Sequence, residues 1–300
     1  MAKSTSTLVI CGAHGQLGRA LARLPAPKGW DLLLLARPDF DVTDPLSVDA
    51  ALEKVTRGVV INAAAYTAVD KAETESELAY SVNRGGARHV AFSAARNDLP
   101  VIHISTDFVF DGRKGSAYVE DDPVAPLSVY GASKLAGELA LAGANPRHLI
   151  LRTAWVFSRH GSCFPRAIYT ALRSRPDVRV VDDQTGCPTA AEHLGQIITA
   201  IAPTLLDRAP DDPLFGLYHL GGQPVVSRYE FAQAIEAEMK KQGLETGKVM
   251  PRKTDPHAPG AQRPVNAALC TDRFTAAFGI AAPDWRSILA DCVAVYGDIA

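Results

Sequence analysis

Residues 8–18, Leu8-Val9-Ile10-Cys11-Gly12-Ala13-His14-Gly15-Gln16-Leu17-Gly18, decide the fold. A short apolar run meets glycines spaced three apart, and the helical pattern Leu17-x-x-Ala20-Leu21-x-x-Leu24 follows at once. An apolar run without alternation suits a strand buried on both faces of a parallel sheet. Glycines at this spacing allow a tight turn and close backbone approach to a pyrophosphate. The free N–H groups and the dipole of the next helix favour that anion. The common fingerprint is G-x-G-x-x-G, and here the first spacing is one residue longer. Gly12, Gly15 and Gly18 are therefore expected to hold a dinucleotide.

The same alternation continues outward. Apolar runs recur at Leu32–Ala36, Val59–Ala65, Val101–Ser105 and Leu149–Thr153. Helical patterns lie between them at Val48–Val55, Ser76–Arg96 and Ser128–Leu141. This order predicts an α/β fold, a doubly wound and mostly parallel sheet of the Rossmann type. The second half predicts short strands at Val178–Val181 and Leu217–Leu220, and helices at Ala190–Ile201, Tyr229–Lys240 and Asp284–Val295. Residues 1–155 are expected to form the dinucleotide-binding domain. Residues 156–300 are expected to form mainly a smaller α/β substrate domain, with segments free to exchange between the two.

Composition narrows the function. The 300 residues are 47% hydrophobic and 21% charged, as in ordinary globular enzymes. Lys and Arg number 31 against 33 Asp and Glu, so the net charge of -2 gives no bulk attraction to nucleic acid or anionic membrane. No apolar run approaches the ~18 residues of a membrane span. The cysteines Cys11, Cys163, Cys187, Cys270 and Cys292 are scattered without a C-x-x-C pair, so neither a disulfide framework nor a zinc site is expected. A cytoplasmic soluble enzyme or binding protein is the expected class.

The end of the second strand selects the cofactor. An acidic residue there holds the ribose hydroxyl of NAD, and an Arg accepts the extra phosphate of NADP. Arg37 points to NADPH, while Asp39 and Asp41 keep NADH open. Asp41 and Val42 sit where the chain would meet adenine. Further on, Tyr130 and Lys134 stand four apart, on one face of a helix. A phenol with pKa near 10 is a sluggish acid at neutral pH. An ammonium ~4 Å away at an effective dielectric of ~20 contributes about 4 kcal/mol, or about three pKa units. In open water the gain falls to about 1 kcal/mol, so the chemistry needs this helix face inside a cleft. The run Val101–Ser105 leads into Thr106, a hydroxyl at a strand's carboxyl end, where α/β sheets bind ligands. Glycine turn, strand-tip hydroxyl and Tyr-x-x-x-Lys together describe nicotinamide-dependent hydride transfer.

These residues resemble the extended short-chain dehydrogenase/reductase superfamily and, within it, the dTDP-4-dehydrorhamnose reductase family. The resemblance adds Asn62–Glu73, Arg152–Phe157 and the discriminating Asp183-Gln184-Thr185-Gly186-Cys187-Pro188-Thr189. It implies that Gln16, Leu17, Asp41, Val42, Ala64, Ala65 and Tyr66 line the cofactor. It implies Thr106, Tyr130 and Lys134 as the catalytic set. Val69, Asp70, Asp107 and Trp155 would approach the sugar, and Arg263 the nucleotide diphosphate. NADPH would reduce the C4 carbonyl of dTDP-4-dehydro-β-L-rhamnose to dTDP-β-L-rhamnose, in a monomer or a homodimer. Three departures stand out. Ala267 and Ala268 replace Ser and Arg, Arg228 replaces Trp, and Ala20 stands where some relatives use Glu to bind magnesium, so no metal is expected. The alternatives are another nucleotide-sugar reductase or epimerase, and a non-catalytic NADP-binding subunit resembling the regulatory subunit of methionine adenosyltransferase.

Overall fold

The computed structural model describes residues 5–297. Its first half contains β1 (Ser6–Cys11), α1 (Gln16–Arg23), β2 (Trp30–Leu35), α2 (Pro45–Leu52), β3 (Gly58–Asn62), α3 (Val69–Ala72), α4 (Ser76–Tyr80), α5 (Ala87–Arg96), β4 (Val101–Thr106), α6 (Val129–Ala144) and β5 (His148–Thr153). The second half contains β6 (Val156–Phe157), α7 (Phe164–Ser174), β7 (Asp177–Val181), β8 (Thr185–Gly186), β9 (Thr189–Ala190), α8 (Ala191–Ile201), β10 (Gly216–His219), β11 (Val226–Ser227), α9 (Arg228–Lys241), β12 (Lys248–Arg252) and β13 (Asn266–Ala267).

Six strands pair in the order β10-β5-β4-β3-β1-β2, every pair parallel. The fold is α/β and Rossmann-like. Successive strand residues face opposite ways, so each strand feeds two cores. Leu8, Ile10, Val59 and Ile61 pack with Leu17 and Leu21 of α1 and Leu194 and Ile198 of α8. Val9, Cys11 and Val60 pack on the other face with Val48, Leu52, Val90 and Ala94. Burial on both faces explains why these strands lack polar alternation. The order reverses between β1 and β3, which opens a crevice at their carboxyl ends.

The second half divides its labour. β10 joins the central sheet beside β5, and α8 packs on α1. A separate core gathers Phe157, Ile168, Leu172, Phe231, Ile235 and Trp285 under the parallel pair β7-β12.

Three predicted elements differ from the structure, of which one, the helix expected over Asp284–Val295, opens as a 3-10 turn over Trp285–Ile288 before its α-helix at Leu289–Tyr296. The strand expected over Val59–Ala65 ends at Asn62, whose side-chain oxygen accepts the Ala64 N–H at 3.3 Å and turns the chain off the sheet. The helix expected over Ser76–Arg96 is interrupted by a π-helical stretch, Ser81–Gly86. π-Turns of this kind are rare and gather at functional sites. Here the widened turn carries Asn83, whose amide donates to Ser133 Oγ at 2.9 Å and to the Tyr66 carbonyl at 3.2 Å. Its oxygen accepts the Tyr66 N–H at 2.8 Å, so one buried side chain ties the β3 loop to α6.

Candidate active site

Thr106 ends β4, and α6 starts where Ser128 caps it by accepting the Gly131 N–H at 3.2 Å. Glu73 accepts the Val129 N–H at 2.9 Å and fixes the same end. Tyr130 therefore lies in the first turn of α6, and Lys134 one turn later on the same face. Thr106, Tyr130 and Lys134 line one cavity of about 660 Å³ at the carboxyl ends of the strands. Gly15, Gln16, Leu17, Ala65 and Val69 share that cavity with them. All three members of the expected catalytic set are buried.

Burial governs their charges. It pushes the Tyr130 phenol up to about 12, against a smaller opposing effect of Thr106. It pushes the Lys134 ammonium down to about 8, partly offset by the field of Glu138. The sequence-based expectation that Lys134 lowers the Tyr130 pKa is not the balance seen here. Lys134 Nζ instead donates to the Ile104 carbonyl at 2.6 Å. Tyr130 thus holds its proton at neutral pH, the form an acid catalyst requires. Beside it, Asp107 accepts from Thr106 Oγ1 at 3.0 Å, and burial raises its carboxyl to about 7. Its second oxygen has no hydrogen-bond partner among the described residues.

The far wall comes from the second half. Trp155 adopts a left-handed backbone, φ 48, and its indole lies where a side chain on residue 186 would stand. A Cβ there would fall 2.6 Å from the ring, so Gly186 is what the Asp183–Thr189 motif supplies to Trp155. On the indole face sits Arg228, with its guanidinium carbon 3.6 Å from the ring centroid and 4.8 Å from that of Phe164. Arg228 and Arg263 line this cavity and also an adjoining one of about 600 Å³, where Arg179 and Arg252 join them. Asp70 stands outside the cavity wall and pairs with Arg263 at 2.8 Å, so these two expected substrate residues meet each other first.

The expected cofactor residues separate into two groups. Gly12 has φ 87, and a Cβ on it would lie 2.7 Å from the Ala64 nitrogen, so glycine keeps the turn against the β3 loop. Gly18 packs beneath the same turn against Gly12 and Ala13. Arg37 lines a surface cavity of about 530 Å³ with His14, Arg19 and Arg23. Val42, however, packs into the core against Gly86, and Asp41 accepts two hydrogen bonds from Thr43, at 2.9 and 2.8 Å. Ala64 abuts Gly12 behind the cavity wall. Tyr66 turns its hydroxyl to Glu75 at 2.5 Å. These four have side-chain neighbours of their own next to the two cavities.

A match to the family model described as RmlD substrate binding domain runs from residue 6 to 297. A dTDP-4-dehydrorhamnose reductase of Sinorhizobium fredii is 39% identical over 93% of this chain and 94% of its own. The chain belongs to the dTDP-4-dehydrorhamnose reductase family. Another such reductase, from Escherichia coli, is 36% identical over 93% of this chain and 94% of its own. A Bacillus anthracis dTDP-4-dehydrorhamnose reductase solved in complex with NADP superposes with a TM-score of 0.87 at 30% identity, covering 96% of this chain and 98% of that one.

Within this reductase-family site, several residues escaped the sequence reading. Arg228 appeared there only as a departure from Trp, yet it stacks on Trp155. Arg19 sits one turn beyond Gly15, which is the signal that could have placed it by the glycine turn. Glu138 and Ser105 lie one turn and one residue from named positions, and only the fold shows them touching.

Proposed function

We propose that this protein reduces the C4 carbonyl of dTDP-4-dehydro-β-L-rhamnose to dTDP-β-L-rhamnose with NADPH. The observation that carries the reading is the meeting of buried Thr106, Tyr130 and Lys134 in one cavity with the glycine turn. The residues fit a dinucleotide. The turn at Gly12 is closed to any side chain, the N-terminus of α1 faces the cavity, and Arg37, Arg19 and Arg23 surround a recess suited to a ribose phosphate. When bound, NADPH supplies the hydride.

The chain's own residues supply the rest. Thr106 donates a hydrogen bond to the substrate carbonyl and holds it beside Tyr130. Tyr130, protonated at neutral pH, gives its proton to the oxygen as negative charge develops there. Lys134 contributes a positive charge inside the low-dielectric cavity, where it is worth several times its value in water. Trp155 and Asp107 bound the sugar, and Val69 the opposite side. Arg228 and Arg263 stand between the two cavities with their charges close enough to oppose one another, a juxtaposition that a diphosphate between them would relieve. Residues 1–155 then mainly hold the dinucleotide, and residues 156–300 mainly the nucleotide sugar.

No helix among the described residues is long and apolar enough to cross a membrane. The reading places the enzyme in the cytoplasm, as a monomer or homodimer. The test is consumption of NADPH, followed at 340 nm, across a panel of nucleotide-linked 4-ketosugars. Preferred turnover of the dTDP-linked 4-dehydrorhamnose supports the reading. Cofactor binding without net consumption contradicts it.

A further inference from the structure

Beneath the cavity floor lies a buried charged cluster that the reaction as described does not use. Glu138 follows Lys134 by one turn of α6 and is buried with it. Its carboxylate accepts two hydrogen bonds from Arg152 of β5, from Nε at 2.9 Å and from a terminal nitrogen at 2.7 Å. It also accepts the hydroxyl of Ser105 on β4. Ser105 and Arg152 are direct neighbours across the β4–β5 ladder, so the cluster closes into a triangle spanning two strands and the helix. Lys134 makes the companion contact one turn earlier, donating to the carbonyl of Ile104. Two helix residues a turn apart thus grip two successive residues of β4, immediately before Thr106.

We propose that Glu138 is a positioning residue that keeps Lys134 in its ammonium form and holds α6 in register with Thr106. Lys134 forms no ion pair within 4 Å among the described residues, and Glu138, one turn along the same face of α6, is the carboxylate whose field favours its charged form. The other groups facing the ammonium do not replace it. Tyr130 on the same helix is neutral, and His103 on β4 is fully buried, with both ring nitrogens unpartnered and its pKa depressed. Asp107 beyond the strand tip leans on Thr106 and Arg228. Arg152 carries the same sign of charge as Lys134 and pairs with the Glu138 carboxylate itself, while also facing His219 and Phe110. An opposite charge nearby favours the charged form of an ammonium, so its loss lowers the pKa. Glu138 therefore shifts the point at which Lys134 loses its proton.

This inference rests on the assigned role of Lys134, and its test separates the two. In Glu138→Gln the descending alkaline limb of kcat is expected to move down by about one to two pH units, with the nucleotide-sugar KM nearly unchanged. Because the variant leaves Arg152 uncompensated, Glu138→Gln with Arg152→Gln provides a second reading with a neutral pair. The limb should fall there too, by a smaller amount. The Lys134 signal, followed by NMR with 13C-labelled lysine in the protein without substrate, reports the same titration without needing turnover. A lower titration midpoint in the folded variants supports the proposal. An unmoved midpoint and limb in the neutral-pair variant overturn it, leaving Glu138 as a packing contact. A Lys134→Met protein that keeps most of its rate would instead defeat the role of Lys134 while leaving the NMR comparison intact.

Discussion

The inner and outer cavities of this reductase are built on opposite electrostatic plans. In the inner one the catalytic groups are buried, drawn from β4 and α6 and cross-braced by contacts to Ile104 and Ser105. The outer one is lined by four guanidiniums of the second half, Arg179 of β7, Arg228 at the start of α9, Arg252 of β12 and Arg263 of a loop, of which Arg228 and Arg263 also reach the inner one. Buried charge is expensive and is kept only where geometry compensates it. Exposed cationic walls attract anions at little structural cost and weaken as salt rises. On the function proposed, chemistry belongs to the inner region and recognition to the outer one, so mutations in the two should act on different kinetic constants.

The sharpest way to break that division is Tyr130→Phe. It should lower kcat by about 100- to 10,000-fold while NADPH affinity, measured by fluorescence titration, stays within about threefold. Next comes Arg228→Ala, which should raise the KM for the nucleotide sugar by about tenfold or more with kcat changed little, as expected for lost ground-state binding. A large fall in kcat at constant KM would move Arg228 into the chemical region. Arg37→Ala together with Arg19→Ala should narrow the preference for NADPH over NADH by about tenfold, read from the ratio of kcat/KM values.

A pH profile probes the inner region alone. Lys134 has a folded-state pKa of about 8, below its ordinary 10.5. It is charged below about pH 8 and neutral above, so kcat/KM should decline as pH rises through that point. The same depression means that the unfolded chain holds the proton longer between about pH 8 and 10.5. Folding stability therefore gains from this group as pH rises across that window, even as activity falls. The smallest effect belongs to the outer region, where raising salt from 50 to 500 mM should increase the nucleotide-sugar KM several-fold and leave kcat flat.

How much of this was legible in the sequence follows the same division. The five strands of the first half and the glycine turn announce themselves because double-sided burial demands unbroken apolar runs. Tyr130 and Lys134 follow from helical spacing, and Thr106 from its place at a strand end. What spacing cannot supply is contact between distant segments. Arg228 meets Trp155 only because Gly186 leaves room for the indole, and Asn83 reaches Ser133 only through a widened helical turn. The pairing of Asp70 with Arg263 is likewise a meeting of a short helix in the first half with a late loop. Asp41, Val42, Ala64 and Tyr66 carried over from the resemblance as cofactor contacts. The protein neighbours of their side chains, Thr43, Gly86, Gly12 and Glu75, are what a motif match does not reveal.

The most direct test of the central assignment uses NADPH deuterated at the nicotinamide C4 and the dTDP-linked 4-ketosugar, with the sugar product read by mass spectrometry and NMR. One deuterium at C4 of the sugar for each NADPH consumed, and near-total loss of transfer in Tyr130→Phe, is the predicted result. Deuterium at another position, or transfer that survives in Tyr130→Phe at close to the parent rate, would contradict it.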